Sequence, residues 1–209
     1  MRFLLFVEGH TEKQGVGAFI RRWLGDRLPS KVGVSVVNLR GNRRFAEDIR
    51  REVHHHLSGG DAAEIIAAIG LLDLYQAADW PKRQRSVRER YEWAAELYEK
   101  RVAHEKFRMF FAVHETEAWL LSDAGIFPRE VARRLKPHWV AAPEKVDFSH
   151  PPASRLHSCY RFALRRQYRK ATDGPNLLAR LDPATAYEKC PYLKRMLDEM
   201  LAMAGETGL

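Results

Sequence analysis

The feature that most constrains the fold is an alternation of short apolar runs with amphipathic segments. The apolar runs are "RFLLFV" at residues 2–7, "VGVSVVNL" at 32–39, "AEIIAAIGLLD" at 63–73 and "FRMFFAV" at 107–113. The segments between them carry apolar residues at helical spacing. Strands that alternate with helices predict right-handed crossovers and a parallel sheet. The predicted fold class is therefore α/β, a Rossmann-like parallel sheet flanked by helices.

The second part of the chain has a different character. After Gly125, loops that contain proline alternate with short helical segments. The chain has 209 residues, which is enough for one main domain with an appendage. We predict an α/β domain at residues 1–124 and a helical carboxyl-terminal extension at residues 125–209 that packs on it.

The net charge of the chain indicates the class of its binding partner, and its cysteines indicate the cellular compartment. The formal net charge is +8, so a polyanion is the expected partner, nucleic acid before an anionic membrane. Cys159 and Cys190 lie far apart without CxxC spacing, which excludes a zinc ribbon and fits a reducing cytoplasm. The first apolar run is much shorter than the ~20 residues of a membrane span. We therefore predict a cytoplasmic protein without a membrane segment.

Acidic residues end three of the four predicted strands. Glu8 follows the first, Asp73 ends the third, and Glu115 and Glu117 follow the fourth. The carboxyl ends of parallel strands share one edge of a sheet, where open α/β folds bind ligands. Carboxylates that converge there repel one another unless a cation neutralises them, and oxygen ligands favour Mg²⁺ or Mn²⁺ over Zn²⁺.

Each acid also has a simpler interpretation. Glu8 could cap the following helix, and Asp73 could form a turn. Glu115 and Glu117 could be solvated loop charges, or could complement a helix dipole. Glu12 lies four residues after Glu8 and could reach a metal through water, or could be a surface glutamate. Acids at three strand ends favour the metal site over these separate interpretations.

Several motifs resemble those of a known family. "FVEGHTEK" resembles the first motif of Toprim domains, a strand that ends in Glu followed by Gly, and Asp73 in "LLDLY" matches the first acid of their second motif. With "VHETEAWLLSD", "PPASRL" and "CPYLKRMLDEML", the chain resembles a Toprim-like family, domain of unknown function 4276, related to the OLD-type nucleases. The resemblance implies a Toprim-like fold, with Glu8 as general acid or base and the aspartate as a Mg²⁺ ligand.

The second motif departs from the Toprim pattern. It is usually Asp-x-Asp, and here Tyr75 occupies the place of the second Asp. Glu115 and Glu117 are the candidates to replace that ligand, and Asp79 is a weaker one.

A basic segment is the candidate nucleic-acid contact. "YRFALRRQYRK" is predicted to be one helix, in which basic residues on more than one side suit contacts to the phosphate backbone. Arg155 in "PPASRL" could bind a phosphate, or could form an interdomain salt bridge. The predicted contact residues are Arg155, Arg161, Arg165, Arg166, Arg169 and Lys170.

These features lead to two functional hypotheses. The first is a Mg²⁺-dependent nuclease of Toprim type, with Glu8 and Asp73 as catalytic residues and with DNA favoured over RNA as substrate. The alternative is a weak or inactive Toprim subunit that binds nucleic acid and regulates an ATPase. The resemblance implies a separately encoded ATPase partner in antiphage defence, and the chain has no GxxxxGK[ST] loop of its own. Whether the chain forms a homo-oligomer stays open.

Overall fold

The structure is a computed structural model that describes residues 1–9, 12–76, 86–146 and 150–208, apart from the side chains of Glu12, Lys13 and Gln76. Its centre is a four-stranded parallel sheet with the strand order β2-β1-β3-β4. The strands are β1 (Arg2–Val7), β2 (Gly33–Asn38), β3 (Ile65–Asp73) and β4 (Phe107–Ala112). The predicted fold class, α/β with a parallel sheet flanked by helices, is confirmed.

Strand β3 is the centre of the core, because all nine of its residues are buried. Such a continuous apolar run is typical of a parallel strand covered on both faces. Gly70 lies at the closest approach of β3 to β4. A Cβ atom there would lie 2.5 Å from Met109 Sδ and 3.1 Å from the Phe107 ring. The pairing of these two strands therefore favours glycine at this position.

Three helices connect the strands. They are α1 (Gly17–Gly25), which follows a π-helix at Glu12–Val16, then α2 (Asn42–Leu57) and α3 (Val87–Val102). Ser86 and Glu89 form a capping box at the start of α3. Helix α2 begins at Asn42, and Gly41 occupies its capping position.

Seven further helices lie among the described residues after β4. The helices are α4 (Glu117–Leu121), α5 (Arg129–Ala132), α6 (Pro137–Ala141), α7 (Pro152–Leu164), α8 (Lys170–Arg180), α9 (Pro183–Lys189) and α10 (Pro191–Glu206). Short 3₁₀ turns lie at Ala62–Glu64, Leu74–Gln76, Ala124–Ile126 and Pro143–Lys145.

One prediction for this part of the chain is wrong. The basic segment is not one helix, because α7 ends at Leu164 and α8 begins at Lys170. Arg165 adopts the left-handed conformation, with φ at 52°, and its N–H closes the last turn on the Arg161 carbonyl. This conformation ends the helix without the glycine that usually signals such an end.

The carboxyl-terminal helices pack closely on the first part of the chain. Trp23 of α1 stacks on Tyr187 of α9 with 4.2 Å between ring centroids. The Arg22 guanidinium of α1 donates hydrogen bonds of 2.6–2.9 Å to the carbonyls of Leu178, Ala179 and Leu181. Buried apolar residues of both parts belong to one cluster. The division into domains at residues 124 and 125 stays a prediction.

Candidate metal centre

Three predicted site residues come together at the carboxyl edge of the sheet. Asp73 ends β3, and Glu115 and Glu117 follow the adjacent strand β4, whose Ala112 pairs with Asp73. One carboxylate oxygen from each residue lies within 4.8 Å of the others. The exposed fractions are 4% for Asp73, 6% for Glu115 and 1% for Glu117, so all three acids are buried.

Hydrogen bonds hold the three carboxylates in place. The Thr116 N–H donates to Asp73 Oδ1 at 3.0 Å, and the Ala153 N–H at the start of α7 donates to Glu115 Oε2 at 2.9 Å. The Tyr168 hydroxyl donates to Glu117 Oε1 at 3.3 Å. The orientation of the acids therefore depends on the carboxyl-terminal part of the chain as well as on the sheet.

The electrostatics of this acidic cluster show a shortage of positive charge. Burial raises the pKa of Glu115 to about 7, and the nearby Glu117 carboxylate adds to the shift. Burial also raises the pKa of Glu117, while Lys170 acts in the opposite direction. Bringing a further cation to the cluster would favour the ionised form of both glutamates.

Lys170 supplies a positive charge to the acidic cluster. Its ammonium lies 3.0 Å from Asp73 Oδ2 and 3.0 Å from Glu117 Oε2. The sequence placed Lys170 among the nucleic-acid contacts, whereas the structure places it at the carboxylates. One ammonium does not balance three carboxylates, and the Lys170 side chain is 37% exposed, so it closes the cluster only in part.

The chemistry of the acidic cluster fits a divalent cation. The ligand set consists of carboxylate oxygens, which Mg²⁺ and Mn²⁺ prefer, and lacks the thiolates and imidazoles typical of Zn²⁺. A separation within 4.8 Å is comparable to twice a metal–oxygen distance of ~2.0–2.6 Å. Among the described residues, two of these three carboxylates have Lys170 as their ion-pair partner, and the three can therefore accept a doubly charged ion.

The other predicted acids have different outcomes. Glu8 is half-buried in the turn after β1, the strand next to β3, but it does not belong to the group of described acids within 4.8 Å. Its roles as metal ligand and as catalytic residue stay predictions. The side chain of Glu12 and the whole of Asp79 lie outside the described residues.

The predicted basic contacts have different surroundings in the structure. Arg166 makes a bidentate pair with Asp173, at 2.8 and 2.9 Å. Arg155 is half-buried on α7, and Lys170 belongs to the acidic cluster. The exposed residues among the set are Arg161, Arg165, Arg166 and Arg169. Their contact with nucleic acid stays a prediction.

Sequence reasoning missed the residues that support the acidic cluster. Tyr168 lies in the basic segment and Ala153 lies in "PPASRL", and the residue types of these stretches do not indicate contacts with Glu117 and Glu115. Lys170 was identified only as one of a run of basic residues, and that run does not indicate which of its members contacts the acids.

The family of the chain follows from a match along nearly its whole length. The family model described as Domain of unknown function (DUF4276) matches residues 7–201. The chain belongs to this family. The resemblance identified from the motifs is thereby confirmed, and no curated protein matches the chain.

Two of the solved structures to which the chain is similar are C-terminal regions of OLD proteins. The C-terminal region of the Burkholderia pseudomallei OLD protein is 19% identical, with a TM-score of 0.48 and coverage of 95% of this chain and 96% of that chain. The C-terminal region of the Xanthomonas campestris pv. campestris OLD protein is 18% identical, with a TM-score of 0.45 and coverage of 98% of this chain and 97% of that chain.

No helix among the described residues is long and apolar enough to cross a membrane.

Proposed function

We propose that the protein is a metal-dependent nuclease that hydrolyses phosphodiester bonds, with DNA favoured over RNA. The observation that carries the proposal is the acidic cluster: three buried carboxylates from adjacent strands, with oxygens within 4.8 Å of one another. Burying several carboxylates together is costly without a cation. The net charge of +8 supports a polyanionic substrate. The resemblance of the motifs to Toprim nucleases agrees with this chemistry.

Asp73, Glu115 and Glu117 would hold Mg²⁺ or Mn²⁺ in this proposal. A bound divalent ion supplies charge for the phosphate and lowers the pKa of an attacking water. Glu8, on the turn after the neighbouring strand, is proposed as the general base or as a further ligand. Lys170 is partly exposed and can turn from the carboxylates towards an anionic substrate when a cation takes its place.

A cleavage assay with matched variants tests the proposal. Single-stranded and duplex DNA, and RNA, would be incubated with the protein in Mg²⁺, in Mn²⁺ and in EDTA. We expect cleavage by the wild type with a metal, and loss of cleavage in Asp73→Asn and Glu8→Gln. The control is Glu144→Gln, which changes a buried glutamate outside the acidic cluster. Equal cleavage by the wild type and Asp73→Asn would refute the proposed active site.

A second candidate function has an observation of its own. Lys170 already pairs with two of the three acids, which would suit a subunit that binds nucleic acid or regulates an ATPase without cutting. Calorimetry with Mg²⁺ distinguishes the two candidates. The nuclease proposal predicts binding that Asp73→Asn removes, whereas the second candidate predicts no metal binding at these acids.

We also propose a separately encoded ATPase as partner, in the setting of antiphage defence. The support is the family resemblance, together with the lack of a phosphate-binding GxxxxGK[ST] motif in the sequence. The free, buried thiols of Cys159 and Cys190 fit the reducing cytoplasm that this role requires. Co-purification of the tagged chain from cells that also express a neighbouring ATPase tests the partnership. Full, ATP-independent activity of the isolated chain would contradict dependence on it.

A further inference from the structure

A cavity of about 610 Å³ lies between α5, α6 and α7, apart from the acidic cluster. Arg133 and Arg134 line it at the end of α5, Trp139 lines it from α6, and Arg155 and Phe162 line it from α7. The volume is within the range of ~300–1,000 Å³ that is typical of sites for small ligands. The lining combines positive charge with aromatic surface.

The charge of the cavity favours an anion. Three guanidinium groups line it together with one carboxylate, that of Glu130. Arg155 Nε is buried and donates no hydrogen bond to a described residue, while the guanidinium lies 5.1 Å from the Trp139 ring centroid. The cation–π contact with Trp139 holds this guanidinium at the wall of the cavity. A guanidinium held in this way suits bidentate contact with phosphate oxygens.

The aromatic part of the cavity favours an anion that carries a flat ring. Phe162 is 61% exposed, although a large apolar side chain normally avoids water. The guanidinium carbons of Arg134 and Arg161 lie 5.9 and 5.0 Å from its ring centroid. An exposed aromatic ring beside arginines is the arrangement on which nucleobases stack in single-strand binding proteins.

We propose that this cavity is a binding site for a nucleoside phosphate. Arg155 and Arg134 contact the phosphate, and the base stacks on Phe162. A free nucleotide and a nucleotide within a single strand both carry a base and a phosphate, so the experiment uses a separate probe for each ligand.

The position of α7 links the cavity to the acidic cluster. The Ala153 N–H donates to Glu115, and Arg155 enters the cavity two residues later. Helix α7 therefore contributes both to the acidic cluster and to the cavity. A strand that is bound in the cavity and cut at the acidic cluster, a step that rests on the proposed function, would run along this helix.

The test is a binding titration of the full chain in EDTA, so that metal binding plays no part. The probes are adenosine monophosphate by calorimetry, a short fluorescein-labelled oligothymidylate by anisotropy, and inorganic phosphate as competitor. The variants are Phe162→Leu, which keeps an apolar side chain without a ring, and Arg134→Gln and Arg155→Gln. The control Arg43→Gln makes the same change of charge on α2, at a side chain that is 91% exposed. Thermal melting verifies that each variant folds.

We expect Phe162→Leu and Arg155→Gln each to weaken binding about tenfold, since stacking and charged hydrogen bonds have energies of this order. Arg134→Gln is expected to act in the same direction, while Arg43→Gln has little effect. If the cavity variants lose binding of both adenosine monophosphate and the oligonucleotide, the ligand of the cavity is a free nucleotide. If they lose binding of the oligonucleotide alone, the ligand is a single strand. If phosphate competes as well as the nucleotide and Phe162→Leu has no effect, the cavity is a simple anion site. That result, or unchanged binding in every variant, would overturn the proposal.

The failure of this inference is distinguishable from the failure of the proposed function. Asp73→Asn should keep its binding to both probes in EDTA even though it loses cleavage in Mg²⁺. Conversely, if the cavity variants bind both probes like the wild type, the inference about the cavity fails, and the cleavage assay still tests the acidic cluster.

Discussion

Replacing Lys170 with glutamine tests the charge balance of the acidic cluster. The substitution removes the ammonium that lies 3.0 Å from both Asp73 and Glu117, and keeps a side chain of similar length. Removing one partner of a buried ion pair costs roughly 3–5 kcal/mol. The Lys170 side chain is 37% exposed, so solvent screening reduces the expected loss of unfolding free energy to roughly 1–3 kcal/mol.

The assay is urea denaturation in EDTA at a pH above the value of about 7 that burial gives the pKa of Glu115. At lower pH the protonation of Glu115 relieves part of the repulsion, so the effect of Lys170→Gln should shrink. The matched control is Lys100→Gln on α3, which breaks an exposed pair with Glu96. Exposed pairs of this kind contribute about 0.3–0.5 kcal/mol.

A divalent cation should reverse the effect. Ligands that bind only the folded state stabilise it in proportion to the logarithm of their concentration over the dissociation constant. Because Lys170 competes with the ion for Asp73 and Glu117, Mg²⁺ should raise the unfolding free energy of Lys170→Gln more than that of the wild type. The reasoning is refuted if Lys170→Gln costs no more than Lys100→Gln, or if Mg²⁺ stabilises the variant and the wild type equally.

Two further predictions concern the stability of the fold. Burial raises the pKa of Glu144 from 4.5 to about 7. Between these values the folded state keeps a proton that the unfolded state has lost, so stability falls as pH rises, by up to about 3 kcal/mol from this group. Glu144→Gln should flatten that part of the pH profile of chemical denaturation, and an identical slope in both proteins would contradict it. Gly70→Ala should destabilise by ~1 kcal/mol or more, because the added Cβ meets Met109 and Phe107. The control Gly205→Ala on α10, with no atom within 4 Å of its Cβ, should be neutral or slightly stabilising in the same thermal melts, and equal melting shifts would count against the packing argument.

The sheet and the three acids were predictable because their signals are local or follow from topology. The order of strands and helices agrees with the predicted alternation, because each apolar run and each amphipathic segment is a local signal. The acids converge because parallel strands place their carboxyl ends at one edge. The positions of Asp73, Glu115 and Glu117 therefore needed only the correct assignment of two neighbouring strands.

The support of the acidic cluster was not predictable, because it depends on contacts between distant parts of the chain. Lys170 is 97 residues from Asp73 in sequence. Its position at the start of α8 requires the helix break at Arg165, where the left-handed backbone occurs without a glycine. Nothing in the periodicity of the basic segment indicates that break. The packing of α7 and α8 against α4 brings their residues to the acids.

The most direct test of the central claim is a Mn²⁺ titration that compares two buried glutamates. Burial raises the pKa of both Glu115 and Glu144 to about 7, and both accept backbone hydrogen bonds. Only Glu115 belongs to the acidic cluster. Calorimetry or electron paramagnetic resonance would measure Mn²⁺ binding to the wild type, Glu115→Gln and Glu144→Gln. We predict equal binding by the wild type and Glu144→Gln and much weaker binding by Glu115→Gln, whereas binding by Glu115→Gln as tight as that of the wild type would contradict a metal centre at these acids.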